Sequence, residues 1–274
     1  MNCFVMKRND YKISNSLSDH NGHPAVTVIT AVYNAENYIA ECILSVINQS
    51  YHNFEYIIID GGSTDNTVNI IKQYEKHLAY WISEPDKGVY DAWNKALMKS
   101  KGEWITFVGA DDQLHLDALH LYMEHINAHP LKDKLEFISS FIELVNEDLS
   151  PIRTVGAAWK WQDFKREMTT WHLGAFHSKN LFIKYGNFDT SYKISGDYEF
   201  LLRAKDQLNT SFIEQPTAKM RSCGMSNVML FKASEETYKA KIKNKVLSNV
   251  KGQALILIDK FRLLVRKSFG WKRF

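Results

Sequence analysis

The chain has little with which to staple itself together or to cross a membrane. Its three cysteines, Cys3, Cys42 and Cys223, are scattered through 274 residues with no CxxC pair and no histidine at ligand spacing. That excludes a disulfide framework and a zinc knuckle, and fits structural thiols in a reducing compartment. Five prolines and thirteen glycines leave no collagen-like or low-complexity stretch. The longest aliphatic runs, over 56–59 and 254–258, fall far short of the roughly 20 residues that span a bilayer. Residues 1–23 are polar and lack the apolar centre of a secretory signal. The expectation is a cytoplasmic chain.

What is present is the material of a globular fold. Apolar residues make up 45% and charged residues 24%, enough for a sizeable core in one large domain or one domain with an appendage. Charge is uneven: residues 232–274 carry twelve Lys/Arg against three acids, a net +9, which leaves −6 on residues 1–231 of a chain at +3 overall. We read a polar leader over 1–23, an α/β domain over 24–231 and a basic helical extension over 232–274, with no linker inside the middle part.

Within that part, β-branched runs alternate with helical spacings. Strands are expected over 25–31, 54–59, 79–83 and 103–108, and helices over 35–49, from Ser63 as N-cap through 77, from Val89 through Leu97, and over 117–128. The pattern predicts a Rossmann-like, mostly parallel sheet flanked by helices, whose ligands bind beyond the carboxyl ends of the strands. Every polar cluster falls at such an end: Tyr33-Asn34, Asp60, the turn over 84–88, and Asp111-Asp112. Beyond 127 the rhythm is mixed, with strands expected over 135–145, 152–155 and 210–213, and helices over 179–185, 196–205 and from 235 onward.

Neither GxGxxG after the first strand nor GxxxxGK[ST] occurs, so neither a dinucleotide oxidoreductase nor a P-loop NTPase is supported. Adjacent carboxylates at the end of a buried strand are costly alone, and a hard divalent cation compensates them. The alternative is a turn started by Asp112 with Asp111 solvated.

Four ordered blocks carry a resemblance. VTVITAVYNAENYIAECILSVINQSYHNFEYIIIDGGSTDNT, SEPDKGVYDAWNKAL, GEWITFVGADD and SGDYEFLLR together resemble glycosyltransferase family 2, inverting enzymes of GT-A fold, close to the bacterial surface-polysaccharide branch. The likeness runs from about Pro24 to Ser226. It implies transfer of a monosaccharide from a nucleotide-diphosphate sugar, UDP-sugar favoured, to a glycan or lipid-linked acceptor, with Mn²⁺ or Mg²⁺ as cofactor. By the same resemblance Thr30, Ala31, Tyr33, Asn34 and Asp60 surround the nucleotide, Asp86 touches its sugar, and Asp91 and Asn94 lie nearby on a helix. Asp111-Asp112 takes the place of the DXD-type element, with Asp112 as metal ligand and Asp111 beside the ribose or sugar. His172 opens the acceptor-side segment, and Asp197 is the catalytic base. The chain departs from the family at Gly61, where many members carry a second aspartate, which leaves the base open.

Other readings stand beside these. Asp60 also fits a turn residue accepting local backbone bonds, Asp91 a first-turn acid, and Asp197 an N-cap. Trp159, Trp161 and Trp171 fit either a sugar-stacking surface or the core. Leu255, Ile258, Phe261, Leu264 and Val265 share one face of the basic C-terminal helix. That face fits peripheral binding through 251–274 to the inner leaflet, or packing on the domain. No nucleic-acid motif is present. A binding module without turnover and a sugar nucleotidyltransferase are the rival functions.

Overall fold

The structure, a computed structural model, describes residues 23–222 and 230–269. The leader over 1–22, Cys3, Cys223, Ser226 and residues 270–274 lie outside the described residues, as do the side chains of Phe261, Leu264 and Val265.

The first half builds as its spacing predicts. Strand β1 (Val26–Val32) leads to helix α1 (Ile39–Ile47), β2 (Phe54–Asp60) to α2 (Thr67–Gln73), β3 (Tyr80–Ser83) to α3 (Val89–Leu97), and β4 (Trp104–Phe107) through a two-residue strand β5 (Gln113–Leu114) to α4 (Ala118–Ala128). β3, β2, β1 and β4 lie side by side and parallel. Their register brings the strand ends level: Val32 stands opposite Asp60, and Asp60 opposite Ser83. The polar clusters are therefore gathered on one edge by hydrogen-bond pairing alone.

Alternation along the strands feeds two cores. Val26, Val28 and Val32 with Tyr56 and Ile58 pack against α1, α2 and α4, while Ile29, Ile57 and Ile59 meet Tyr90, Trp93 and Ala96 of α3. Both sheet faces are covered, which is why these strands read as near-continuous apolar runs.

The second half completes the sheet with antiparallel and parallel pairs. β6 (Phe137–Val145), β7 (Pro151–Val155), β8 (Ala175–Ser178) and β9 (Thr210–Arg221) are joined by α5 (Trp161–Phe164), α6 (Lys179–Tyr185) and α7 (Gly196–Leu202). The strand order is β3-β2-β1-β4-β8-β6-β9-β5, with β7 on β6. β8 enters antiparallel between β4 and β6, and β6 runs parallel to β9. The sheet is thus parallel through its first four strands and mixed beyond them.

Two differences from the sequence expectation have local causes. β9 continues eight residues past 213, because the Glu214-Gln215-Pro216 stretch that reads as a break is absorbed in register shifts opposite Ser140 to Glu143. Proline is tolerated in a strand at such a bulge. Helix α2 starts at Thr67 with Asn66 as its cap rather than at Ser63, since the Ser63 hydroxyl is taken by Asp60 and by the backbone N–H of Asn34.

The C-terminal extension forms α8 (Leu230–Lys243) and α9 (Asn249–Phe269). Gly252 of α9 lies against Ile242 so closely that a Cβ there would collide with its side chain, which lets the two helices meet. α8 packs on α7: Ala240 joins the core beside Leu201 and Tyr198, and Lys243 pairs with Glu199 at 3.0 Å. No helix among the described residues is long and apolar enough to cross a membrane.

Candidate active site

The rim at the strand ends is assembled by its own polar side chains. Asp60, fully buried, accepts hydrogen bonds from the N–H groups of Gly62 (3.1 Å) and Ser63 (2.9 Å), from the Ser83 hydroxyl (2.6 Å) and from the Ser63 hydroxyl. Its carboxylate is consumed in folding the loop. Asn34, at φ 48, is in the left-handed region, and its Oδ1 accepts from Thr64 N–H at 2.9 Å. These bonds tie the β1 and β2 loops together, and they leave Tyr33 63% exposed at the rim beside half-buried Ala31. Thr30 points into the core, with its hydroxyl 3.0 Å from that of Tyr56.

The turn before α3 is organised by two acids. Asp86 Oδ1 accepts from Gly88 N–H at 2.7 Å, and Asp91 Oδ2 accepts from Lys87 N–H at 3.0 Å. The Asp86 carboxylate lies over Gly61, where a Cβ would come within 2.7 Å of Oδ2. The glycine that departs from the family pattern is thus the one that admits Asp86. Asn94 faces away from the rim and holds both backbone groups of Phe188, at 2.8 and 3.0 Å.

Asp111 and Asp112 sit on a tight turn after β4. A Cβ on Gly109 would strike Asp112 Oδ2 and lie 3.1 Å from Asp111 Oδ1, so both carboxylates converge over a residue that has no side chain. Asp112 is only 4% exposed, and its other oxygen accepts from Arg221 N–H at 3.1 Å. Burial, then the charge of Asp111, pushes the Asp112 carboxyl up to about 7. Buried Arg221 also donates to the Asp111 carbonyl, pairs with Glu41 at 2.7 Å and lies over the Tyr38 ring. Two converging carboxylates, one of them buried, are a donor set suited to a hard divalent cation. No cluster of three or more His, Cys, Asp or Glu that could hold a metal exists among the described residues.

Across from this turn, Asp197 occupies the second position of α7, with Ser195 as the cap. Its Oδ1 accepts from Tyr198 N–H at 2.9 Å and lies 3.0 Å from the Tyr90 hydroxyl, which is also 2.7 Å from the Ile194 carbonyl. Its Oδ2 faces His172 Nδ1 at 3.7 Å. Burial acts to lower the His172 pKa, but the carboxylates of Asp197, Asp112 and Asp111 outweigh it and hold the imidazole above its ordinary range. His172 therefore stands in the field of both acidic groups, and residues 111–112, 172 and 197 converge although they are far apart in the chain. The His172 ring rests 5.5 Å from that of Trp93.

The three tryptophans lie against the core. Trp159 and Trp161 pack on the cluster around Phe164 and Phe137, and Trp171 packs on the opposite one. Three supporting residues were not singled out by sequence reasoning. Arg221 lies beyond the expected end of its strand, and Tyr90 falls in the helix expected from Val89 through Leu97. Glu236, 6% exposed on α8, accepts from the N–H groups of Lys193, Ile194 and Ser195 at 2.8–3.0 Å. It was one of only three acids in a basic segment, and that was its only signal.

The chain has relatives among known proteins. A family model described as Glycosyl transferase family 2 matches residues 27–178. A glycosyltransferase of Bacillus subtilis (strain 168), TuaG, whose name assigns it provisionally to teichuronic acid biosynthesis, is 40% identical over 109 residues, 38% of this chain and 42% of that protein. The chain spans less than half the length of that relative. A "PGL/p-HBAD biosynthesis glycosyltransferase" of Mycobacterium bovis (strain BCG / Pasteur 1173P2) is 28% identical over 222 residues, 76% of this chain and 82% of its own. Among solved structures, S. aureus TarS 1-349 in complex with UDP-GlcNAc superposes with a TM-score of 0.64 at 18% identity, over 84% of this chain and 70% of that one; the likeness is one of fold.

Proposed function

Because the chain belongs to glycosyltransferase family 2, we propose that it is an inverting transferase which moves a monosaccharide from a UDP-sugar to a glycan or lipid-linked acceptor in cell-surface polysaccharide biosynthesis. The observation that carries the reading is the convergence of Asp111-Asp112 and Asp197 on His172. Acidic groups from two distant parts of the chain acting on one imidazole are expected where a departing diphosphate and an entering hydroxyl share one cleft. The UDP-GlcNAc named for the S. aureus structure and the names of the two relatives support the donor and pathway class.

Asp197 Oδ2 takes the proton from the acceptor hydroxyl as the new bond to the anomeric carbon forms and the bond to the diphosphate oxygen breaks. The Tyr90 hydroxyl and the Tyr198 N–H fix the other oxygen of that carboxylate, so that its orientation is set before substrate arrives. His172, held towards its protonated form, offers positive charge to the acids around it. Asp112 and Asp111 would hold a Mn²⁺ or Mg²⁺ ion, which supplies neutralising charge to the leaving diphosphate. Asp86, admitted over Gly61, and the Tyr33-Asn34 rim are the residues read as contacting the nucleotide sugar. The reaction is read as cytoplasmic.

The test is Asp197→Asn, assayed for donor binding by calorimetry and for transfer by release of UDP in the presence of envelope acceptors. Binding is expected to persist while transfer falls by about 100-fold or more. Transfer at the native rate would remove Asp197 as base. Tight donor binding by the native chain with no turnover on any acceptor would favour a binding module instead.

A further inference from the structure

Over residues 250–258, α9 presents an apolar stripe outward. Val250 is 84% exposed, Leu257 67% and Ile258 44%, with exposed Ala254 between them at helical spacing. The opposite face does the packing: Gly252 and Ile256 are buried against α8, and Asp259 accepts from the Ser234 and Tyr238 hydroxyls at 2.9 and 3.0 Å. A helix that served only to close the domain would have the reverse arrangement. Exposed Lys251 and Arg262 flank the apolar stripe on one side and Lys260 on the other.

Beside the stripe lies a cavity of about 370 Å³ between the loop after α5 and the two C-terminal helices. It is lined by the cations Lys165, Arg166, Lys241 and Lys251, by Tyr238, and by aliphatic side chains including Val246 and Leu255. Lys165, Arg166 and Lys251 form no ion pair among the described residues. Lys241, whose pKa burial lowers, donates to the Arg166 carbonyl rather than to an acid. The nearby acids are otherwise engaged: Glu235 pairs with Lys239 and Lys260, and Asp259 with Arg262, while exposed Glu167 acts on Lys241 at longer range. Excess cations beside a half-apolar cavity, next to an outward apolar stripe, complement a surface that is anionic at its headgroups and apolar beneath.

We infer that the α8–α9 arm docks on an anionic phospholipid membrane, with Val250, Ala254, Leu257 and Ile258 in the acyl boundary and a lipid phosphate seated in the cation-walled cavity. Glu236, which holds the 193–195 loop before Asp197, lies on the same helix α8 as Tyr238 and Lys241. The inference does not depend on the transfer reaction, since no residue of the arm named here touches the proposed donor site.

The experiment is flotation of the full chain with vesicles of phosphatidylcholine alone or with about one-third phosphatidylglycerol, at low and high salt. The native chain is expected to float with the anionic vesicles only, and less at high salt. Val250→Glu/Leu257→Glu should reduce flotation about tenfold or more, and Lys165→Glu/Lys251→Glu should abolish the preference for anionic lipid. Donor binding by both variants should remain native, which separates failure here from failure of the transferase reading and controls for folding. Equal flotation of the variants, no flotation of the native chain, or equal binding to neutral vesicles overturns the proposal. So does a native dimer in sedimentation that Val250→Glu/Leu257→Glu dissolves, because the stripe would then cover a second copy. Stabilisation by inorganic phosphate without flotation likewise overturns the lipid assignment.

Discussion

Asp112 is held where its charge is unwelcome. Buried after β4 and facing Asp111, it titrates near 7 in the folded chain against 3.8 as an ordinary aspartate. Its contribution to stability is therefore greatest below pH 3.8 and is eroded as pH rises to about 7, because the unfolded chain ionises first. Asp112→Asn keeps an acceptor for Arg221 N–H and removes the charge. It should stabilise the ligand-free protein at pH 7.5 by about 1–3 kcal/mol, the upper part of the shift being lost to relaxation. Thermal melts of the two forms without added cation check this, and transfer should fall below detection in the same variant. Gain of stability with loss of activity is the signature of a strained site, and an unchanged melt would remove the premise of strain.

At the scale of elements, α8 holds the loop before α7 in place. Glu236 satisfies three backbone donors at Lys193, Ile194 and Ser195, and the N-terminus of α7 carries Asp197. Glu236→Ala leaves those N–H groups without their acceptor, at an expected cost of about 2–4 kcal/mol measured by urea unfolding. Transfer should fall more than donor affinity, since the loop leads into the proposed base Asp197, and Glu236→Gln should recover part of both. Most elements were legible in the sequence because each buries a face of fixed period: α6 occupies the residues 179–185 that its spacing marks. β8 was not legible. Ala-Phe-His-Ser is short, is buried throughout, and becomes a strand only because β4 and β6 pair with it on either side.

For the whole molecule, that inserted strand matters most, because it carries His177 into the aromatic core among Phe107, Phe137, Phe182 and Phe200. Burial depresses the His177 pKa from 6.5 to about 4. The histidine is therefore neutral in the folded chain, its stabilising contribution is fully present above pH 6.5, and that contribution is lost as pH falls from 6.5 to 4. The native protein should lose about 3 kcal/mol across that window from this group, and His177→Leu should flatten the fall, read as Tm against pH for both proteins. Parallel slopes would show that His177 does not govern acid sensitivity. The same division of labour runs through the molecule. The sequence by itself determined the alternation of strands and helices, the rim on which Tyr33, Asn34, Asp60, Asp86 and Asp111-Asp112 fall, and the basic character of the C-terminus, because periodicity, turn chemistry and charge are local properties. Only the tertiary structure decided that Asp60 and Asn94 spend their polar atoms on the backbone, that Arg221 and Glu236 support the two acids from distant elements, and that α9 turns Val250, Ala254, Leu257 and Ile258 outward. Those outcomes depend on which neighbour strand pairing and helix packing bring within about 3–4 Å, and no spacing along the chain encodes that distance.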